Sequence, residues 1–273
     1  MPVKQALLRY TPHQFIHWAK FLVNPDYRHK TRELARLKSV PRYQRAFTNI
    51  LGKPLEAVDS ASLIFMYKEI FESEIYRFRA RNENPLIIDC GSNIGLSVLY
   101  FKQLYPRSRV IAFEADDEVF AVLERNIERL GCQNVEMHCR AVWSTETSLG
   151  FRHEGADGGR LAQGHDPADK IVQTVRLRDY LGERVDFLKI DIEGAETEVL
   201  LDCKDRLPNV ENIFLEYHSF ADRPQTLHLI TEILANAGFR LHVQPVLISA
   251  QPFVSRTIDG GYDMQLNVFG FRD

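Results

Sequence analysis

The sequence predicts an α/β fold: a mostly parallel sheet built from βαβ units, preceded by a helical N-terminal extension. Three observations predict it. From Pro85 onward, short apolar runs alternate with helix-like segments, the mark of parallel strands joined by crossover helices. The first 80 residues carry helical periodicity instead, with helix start and stop signals. The last two strand-like runs have no helix between them, so a hairpin closes the sheet. With 273 residues, 45% hydrophobic and 26% charged, the chain can bury a core without staples, which argues against a disordered, collagen-like or disulfide-framed protein.

Element by element, Thr11-Pro12 is a helix start, a hydroxyl cap followed by proline at the first helical position. Phe15, Ile16, Ala19, Leu22 and Val23 then recur at helical spacing. A second helix covers Arg28 to Leu37 and stops before Pro41. A third runs from about Ser60 to Phe78, with Leu63, Ile64, Tyr67, Ile70 and Phe71 on one face. Strands are expected at Leu86–Cys90, Val110–Phe113, Val135–Cys139, Phe187–Ile190 and Ile213–Tyr217. The helices between them are roughly Ile94–Leu104, Asp117–Leu130, Glu193–Asp202 and Pro224–Ala237. Phe239–Gln244 and Met264–Phe271 form the closing hairpin. Residues 152–170 are one long polar loop; a loop of that length in a compact domain is a functional lid or a disordered segment.

The net charge of −3 is unevenly placed: Met1 to Ile50 holds ten basic and two acidic residues. Arg28, Arg32 and Arg36 share a helical face, which reads as a solvated or packing face or as a contact for an anionic acceptor. Cys90, Cys132, Cys139 and Cys203 show no metal-type pairing; Cys90 and Cys139, in apolar runs, read as small buried hydrophobes. No stretch is long and apolar enough for a membrane span and no signal peptide is apparent, so a reducing cytoplasm is expected.

Chemistry concentrates at the strand ends. Asp89-Cys90-Gly91-Ser92-Asn93-Ile94-Gly95 joins the first sheet strand to a helix, where glycines permit a tight turn and close approach of a ligand. Asn93 stands where GxGxxG has its second glycine, so a dinucleotide pyrophosphate has a poorer seat. Glu114 ends the next strand, placed to accept both hydroxyls of a ribose. Lys189-Ile190-Asp191-Ile192-Glu193-Gly194-Ala195-Glu196 delivers carboxylates to the same edge, and Glu216 and His218 share a face of a further strand. Taken singly, these features are also ordinary turns, helix caps and edge residues.

Together, Asp89-x-Gly91-x-Asn93-x-Gly95, Phe113-Glu114 and Lys189-x-Asp191-x-Glu193-Gly194-x-Glu196 resemble the FkbM family of S-adenosylmethionine-dependent methyltransferases, over roughly Glu69 to Tyr217. The resemblance implies a class I methyltransferase (Rossmann-like) fold with seven strands, the last antiparallel. It implies S-adenosyl-L-methionine as cofactor and O-methylation of a sugar or secondary-metabolite hydroxyl. It makes residues 81–273 the cofactor-binding domain and leaves 1–80 for substrate or partner contacts. Carried over residue by residue, Asp89, Gly91, Ser92, Asn93 and Gly95 form the methionine-side loop, Glu114 binds ribose, and Asp191 lies near the sulfonium. Ala115 stands where proline is common, and Arg140 where many related enzymes place an acidic residue, which leaves adenine to backbone groups of Ala141 and Val142.

A hydroxyl is a weak nucleophile, so a nearby base helps; Asp191, Glu193 and His218 are the candidates. Asp191, Glu193, Glu216 and His218 are also metal-ligand types, but without distances no metal is predicted. The expected partner is a small-molecule or glycan acceptor, with no nucleic acid; a homo-oligomer stays open. The alternatives are an NAD-dependent oxidoreductase, which Glu114 suits and the missing GxGxxG does not, and a non-catalytic module that kept a cofactor fold.

Overall fold

The computed structural model describes residues 21–156, 158–162, 167–256 and 258–272; the helix expected after Thr11-Pro12 lies outside them. The N-terminal part holds α1 (Pro25–Leu37), β1 (Ala46–Thr48), β2 (Leu55–Ala57) and α2 (Ser60–Tyr67). Asn24 and Asp59 cap the two helices by accepting backbone N–H groups of Tyr27 and Ser62. The alternating part holds β3 (Leu86–Cys90), α3 (Leu96–Leu104), β4 (Arg109–Glu114), α4 (Asp117–Leu130) and β5 (Val135–Cys139). Next come β6 (Ala141–Trp143), β7 (Ser148–Arg152), β8 (Arg160–Leu161) and β9 (Lys170–Arg176). The chain ends with β10 (Phe187–Ile190), α5 (Glu196–Cys203), β11 (Asn212–Phe220), α6 (Leu227–Asn236), β12 (Arg240–Ile248) and β13 (Tyr262–Phe271).

Seven strands form one sheet in the order β12-β13-β11-β10-β3-β4-β5. All pairings are parallel except those of β13, which runs antiparallel to both neighbours. This is the seven-stranded class I arrangement. The chain moves outward from β3 to β5 on one side, then returns to β10 and β11 on the other. That reversal opens a crevice at the carboxyl ends of β3 and β10, where α/β sheets bind ligands.

The sheet is covered on both faces, so its central strands read as continuous apolar runs. Alternate residues sort to opposite sides. Ile87, Phe187 and Phe214 pack with α3, α4 and the N-terminal part, whereas Ile88, Leu188 and Leu215 pack with α5 and α6. Leu37, Leu55, Leu63 and Tyr76 lie in the same apolar cluster as Ile87 and Val110.

Several sequence expectations need correction. The stretch between the first two described helices is not helical: it forms the β1–β2 hairpin, with Phe47 opposite Glu56. The helix from Ser60 ends at Tyr67 and gives way to a π-helical turn, Lys68–Glu72. Beyond it the chain turns at Glu74 (φ +53°), because Tyr76 and Phe78 leave the helix to pack against the rings of Phe101, Phe187 and Phe214. A second sheet, β6-β9-β7-β8, was not expected. It takes in part of the presumed loop 152–170 through β8, which pairs with β7. Cys139 is exposed rather than buried, since β5 is an edge strand. The arginine face of α1 is engaged locally: Arg36 bonds Glu33 and the Phe47 carbonyl, Arg28 the Leu22 carbonyl, and Arg32 sits over the Phe21 ring. These contacts favour the packing reading. Among the described residues, no helix is long and apolar enough to cross a membrane.

Asn126 ties the site loop to the N-terminal part. Fully buried in α4, its amide donates to the carbonyls of Ile94 and Glu56 (2.9 Å each) and accepts from the Glu56 N–H (2.9 Å). The Glu56 carboxylate in turn meets Arg125, Arg129 and Arg45 at 2.8–3.3 Å. Asn126→Ala leaves buried backbone groups unpaired, so urea unfolding should register a loss of about 2–4 kcal/mol. A loss below about 0.5 kcal/mol would mean that this amide does not hold the two segments together.

Candidate functional site

β3 runs into a turn in which Gly91, Asn93 and Gly95 all have positive φ (+84°, +49° and +92°). The turn consumes its own donors. The N–H groups of Gly91 and Ser92 both bond the Phe113 carbonyl, that of Asn93 the Glu114 carboxylate, that of Ile94 the Asn93 side chain, and that of Gly95 the Ser92 carbonyl. Five successive amides turned inward make a poor pyrophosphate seat, which counts against the dinucleotide alternative.

Gly91 is required for a reason the sequence did not reveal. A Cβ there would stand 1.8 Å from the carbonyl oxygen of Asp191. The glycine thus admits the end of β10 rather than a ligand. Lys189, nearly fully buried, fastens the same junction: its ammonium donates to the Gly91 carbonyl (2.8 Å) and lies 3.1 Å from Asp191 and 3.5 Å from Asp89. Burial opposes this charge, but Asp191 and Asp89 outweigh it and hold the ammonium well above its usual range.

Two residues expected to touch the cofactor stand off the cavity wall. Asp89 is fully buried, accepts the Ser97 hydroxyl and faces Lys189. Gly95 packs against Leu123 of α4. Gly91, Ser92, Asn93, Glu114, Ala115, Ala141, Val142 and Asp191 all line one cavity, together with Arg140. The segment expected as a lid or a disordered loop contributes Gly155, Ala156, Gly159, Arg160 and Leu161 to its wall.

Glu114 accepts the N–H groups of Asn93 (2.9 Å) and Asp116 (2.8 Å). Burial pushes its carboxyl up to about 7, against the pull of these two amides. A carboxylate offers about four acceptor positions, so two remain for a diol. The site's own geometry therefore fits a ribose-bearing cofactor.

The other end of the cavity is acidic. Asp191 follows β10, and Glu193 (φ +56°) and Gly194 (φ +97°) turn the chain into α5. A Cβ on Gly194 would meet the Phe220 ring at 2.7 Å. The Glu193 carboxylate accepts the Tyr262 hydroxyl (2.8 Å) and lies 3.5 Å from His218 Nε2. Burial pushes Glu193 up to about 7, although His218 pulls it down. Glu216 lies deeper, beside Gln265, and burial together with the charge of Asp191 raises it well above the carboxylate range.

His218 does not line the cavity; Glu193, Glu216 and Gln265 stand in front of it. Its Nδ1 is 3.0 Å from Glu196, which also accepts the Gly194 N–H (2.9 Å). Burial disfavours the imidazolium, but Glu193 and Glu196 on its two sides outweigh that and raise His218 well above its ordinary value. His218, expected as a candidate base, thus stands behind the carboxylates that line the cavity. Glu69 was missed. It enters the cavity wall from the π-helical turn, and burial, with Asp191 adding to it, pushes it up to about 7. Glu69 follows Phe65 and Met66, which line the same cavity, at helical spacing, but it lies off the apolar face of Leu63, Ile64, Tyr67, Ile70 and Phe71 that marks the helix in the sequence.

A family model described as the methyltransferase FkbM domain matches residues 89–241. The chain belongs to the FkbM methyltransferase family. It is an S-adenosylmethionine-dependent methyltransferase of that family. Methyltransferase sdnD of Sordaria araneosa is 30% identical over 224 residues, covering 67% of this chain and 84% of that protein. Methyltransferase 1 of Beauveria bassiana is 28% identical over 207 residues (66% and 82%). The 31-O-demethyl-FK506 methyltransferase FkbM of Streptomyces tacrolimicus is 27% identical over 226 residues (69% and 86%).

The Gly91 junction is open to a paired test. Gly52 also has positive φ (+79°) but nothing within 4 Å of where a Cβ would stand. Gly52→Ala should lose about 1–2 kcal/mol from backbone strain alone. Gly91→Ala must also displace the Asp191 carbonyl, which adds about 1–3 kcal/mol. Equal losses in urea unfolding would remove that contact as the reason for the glycine.

Proposed function

We propose that the protein transfers a methyl group from S-adenosylmethionine to a hydroxyl oxygen of a sugar or secondary metabolite. The observation that carries this reading is that Glu69, Asp191, Glu193 and Glu216 line the same cavity as the glycine turn and Glu114. Proton acceptors thus face the end of the site where an acceptor would meet the donor. The name of the Streptomyces tacrolimicus relative denotes methylation of an oxygen in its own substrate, which supports oxygen as the acceptor atom.

The bound cofactor supplies an activated methyl on a sulfonium; the chain's residues position the partners and handle the proton. Glu114 takes the ribose diol. Gly91, Ser92 and Asn93 border the methionine side, and Ala115, Ala141 and Val142 the adenine side. Asp191 lies toward the sulfonium end, fixed by Lys189. Asp89 and Gly95 act indirectly, as the buried counter-charge of Lys189 and as the packing point against α4. Of the candidate bases, Glu69, Asp191 and Glu193 border the cavity directly, and a base contributes about 10²–10⁴-fold. Phe65, Met66, Glu69, Ile70 and Tyr76 also border it, which supports acceptor contacts for the N-terminal 80 residues, with 81–273 as the cofactor domain.

Incubation with methyl-labelled S-adenosylmethionine and a panel of hydroxylated sugars and metabolites, followed by NMR of the products, tests the reading. O-methyl products are expected; transfer only to nitrogen or carbon would overturn it.

Glu114 makes cofactor affinity pH-dependent. Two diol hydroxyls need an ionised carboxylate, and burial holds this one near 7, with the charge of Asp116 adding and Lys189 opposing. Ionisation therefore increases as pH rises through 7. Calorimetry should show affinity for S-adenosylmethionine tightening roughly tenfold between pH 6 and pH 8. Glu114→Gln should weaken binding at least about tenfold and flatten the profile. A wild-type affinity that does not change with pH would remove Glu114 as the ribose ligand.

A further inference from the structure

One ligand atom from each of Asp191, Glu193 and His218 lies within 4.8 Å of the other two. The sequence offered these residue types without distances. The distances make them a candidate donor set: two carboxylates and an imidazole, brought together from the loop after β10 and from β11. From this we propose that the three residues form a divalent-cation site at the acidic end of the cavity. The proposal rests on the methyltransferase reading of that cavity.

Two further observations point the same way. The His218 ring is aimed: Glu196, outside the donor set, fixes Nδ1 at 3.0 Å, so Nε2 is turned toward the Gln265 amide (3.2 Å), Glu193 (3.5 Å) and Glu216 (3.9 Å). A carboxylate behind an imidazole is the outer arrangement that orients histidine ligands of metals. Carboxyl groups are also concentrated here. Glu69, Asp191, Glu193 and Glu216 converge on this end of the cavity, and Glu196 lies behind His218. Lys189, shared with Asp89, and His218 lie against them, and Arg160 borders the same cavity. Buried carboxylates are retained where they are paired or where they coordinate a cation.

The donors indicate the class of ion. Mixed carboxylate and imidazole ligation suits Mn²⁺ and similar first-row cations better than Ca²⁺, which takes oxygen alone. A cation at Nε2 requires that nitrogen free of a proton, so metal binding and protonation compete there. Asp191 and Glu193 border the cavity and His218 does not, so the open coordination positions face the acceptor.

Electron paramagnetic resonance of Mn²⁺ added to the EDTA-stripped protein tests the site, with calorimetry of S-adenosylmethionine on the same samples. One Mn²⁺ per chain is expected. Glu193→Gln and His218→Gln should each weaken it by at least about 10-fold, while unfolding temperature and far-UV circular dichroism report that the variants remain folded. Absence of Mn²⁺ binding up to about 1 mM in wild-type protein that binds S-adenosylmethionine overturns the cation site and leaves the methyltransferase reading standing. Mn²⁺ affinity unchanged by both substitutions also overturns it. Mn²⁺ binding that depends on both residues, in a protein with no affinity for S-adenosylmethionine, supports the cation site and removes the reading of the cavity.

Discussion

A single buried ammonium holds this site in shape. Lys189 reaches from β10 to the Gly91 carbonyl, to Asp191 and to Asp89. It joins the glycine turn after β3 to the acidic loop after β10, the two segments that flank the sheet's reversal point. A buried charge is tolerated only when paired and hydrogen-bonded. The arrangement therefore explains three residues together: Asp89 as counter-charge, Gly91 as the point of close approach, and Asp191 as the carboxylate the junction presents. Ser97 completes it by bonding the far oxygen of Asp89.

The sheet was largely legible because its strands are buried on both faces, which leaves mostly apolar runs such as Leu86–Cys90 and Phe187–Ile190, broken only by Asp89 and Lys189. What escaped was short, or depended on distant partners. β6 and β8 have three and two residues, too few to show a period. In Lys170–Arg176 buried Val172 and Thr174 alternate with exposed Ile171 and Gln173, but the exposed isoleucine and the buried threonine mask the apolar period of two. The β1–β2 hairpin has only three residues per strand, and Phe47 on it is exposed.

At the site, residue types were legible and their surroundings were not. Strand ends announced Glu114 and Asp191. His218 drew attention because an isolated imidazole titrates near neutral pH, but no local pattern could disclose that carboxylates from two turns of chain flank it on both sides. Glu69 remained hidden because it shares a helical face with Phe65 and Met66, away from the apolar stripe that drew attention. Asp89 matched the family pattern at the correct position, yet it acts one layer behind the cavity. A motif can therefore mark a residue that supports the site without touching its ligand.

The bonds of Asn126 bear on where this protein could be cut. Its amide joins the carbonyl of Ile94, in the glycine turn, to the backbone of Glu56. Leu55, Leu63 and Tyr76 share an apolar cluster with Ile87 and Val110. Removing everything before residue 81 would strip one face of the central sheet and orphan buried amide groups beneath the cofactor turn. The helical extension and the catalytic sheet are thus distinguishable along the chain but not as folding units. A minimal version of the enzyme has to begin upstream of Leu55.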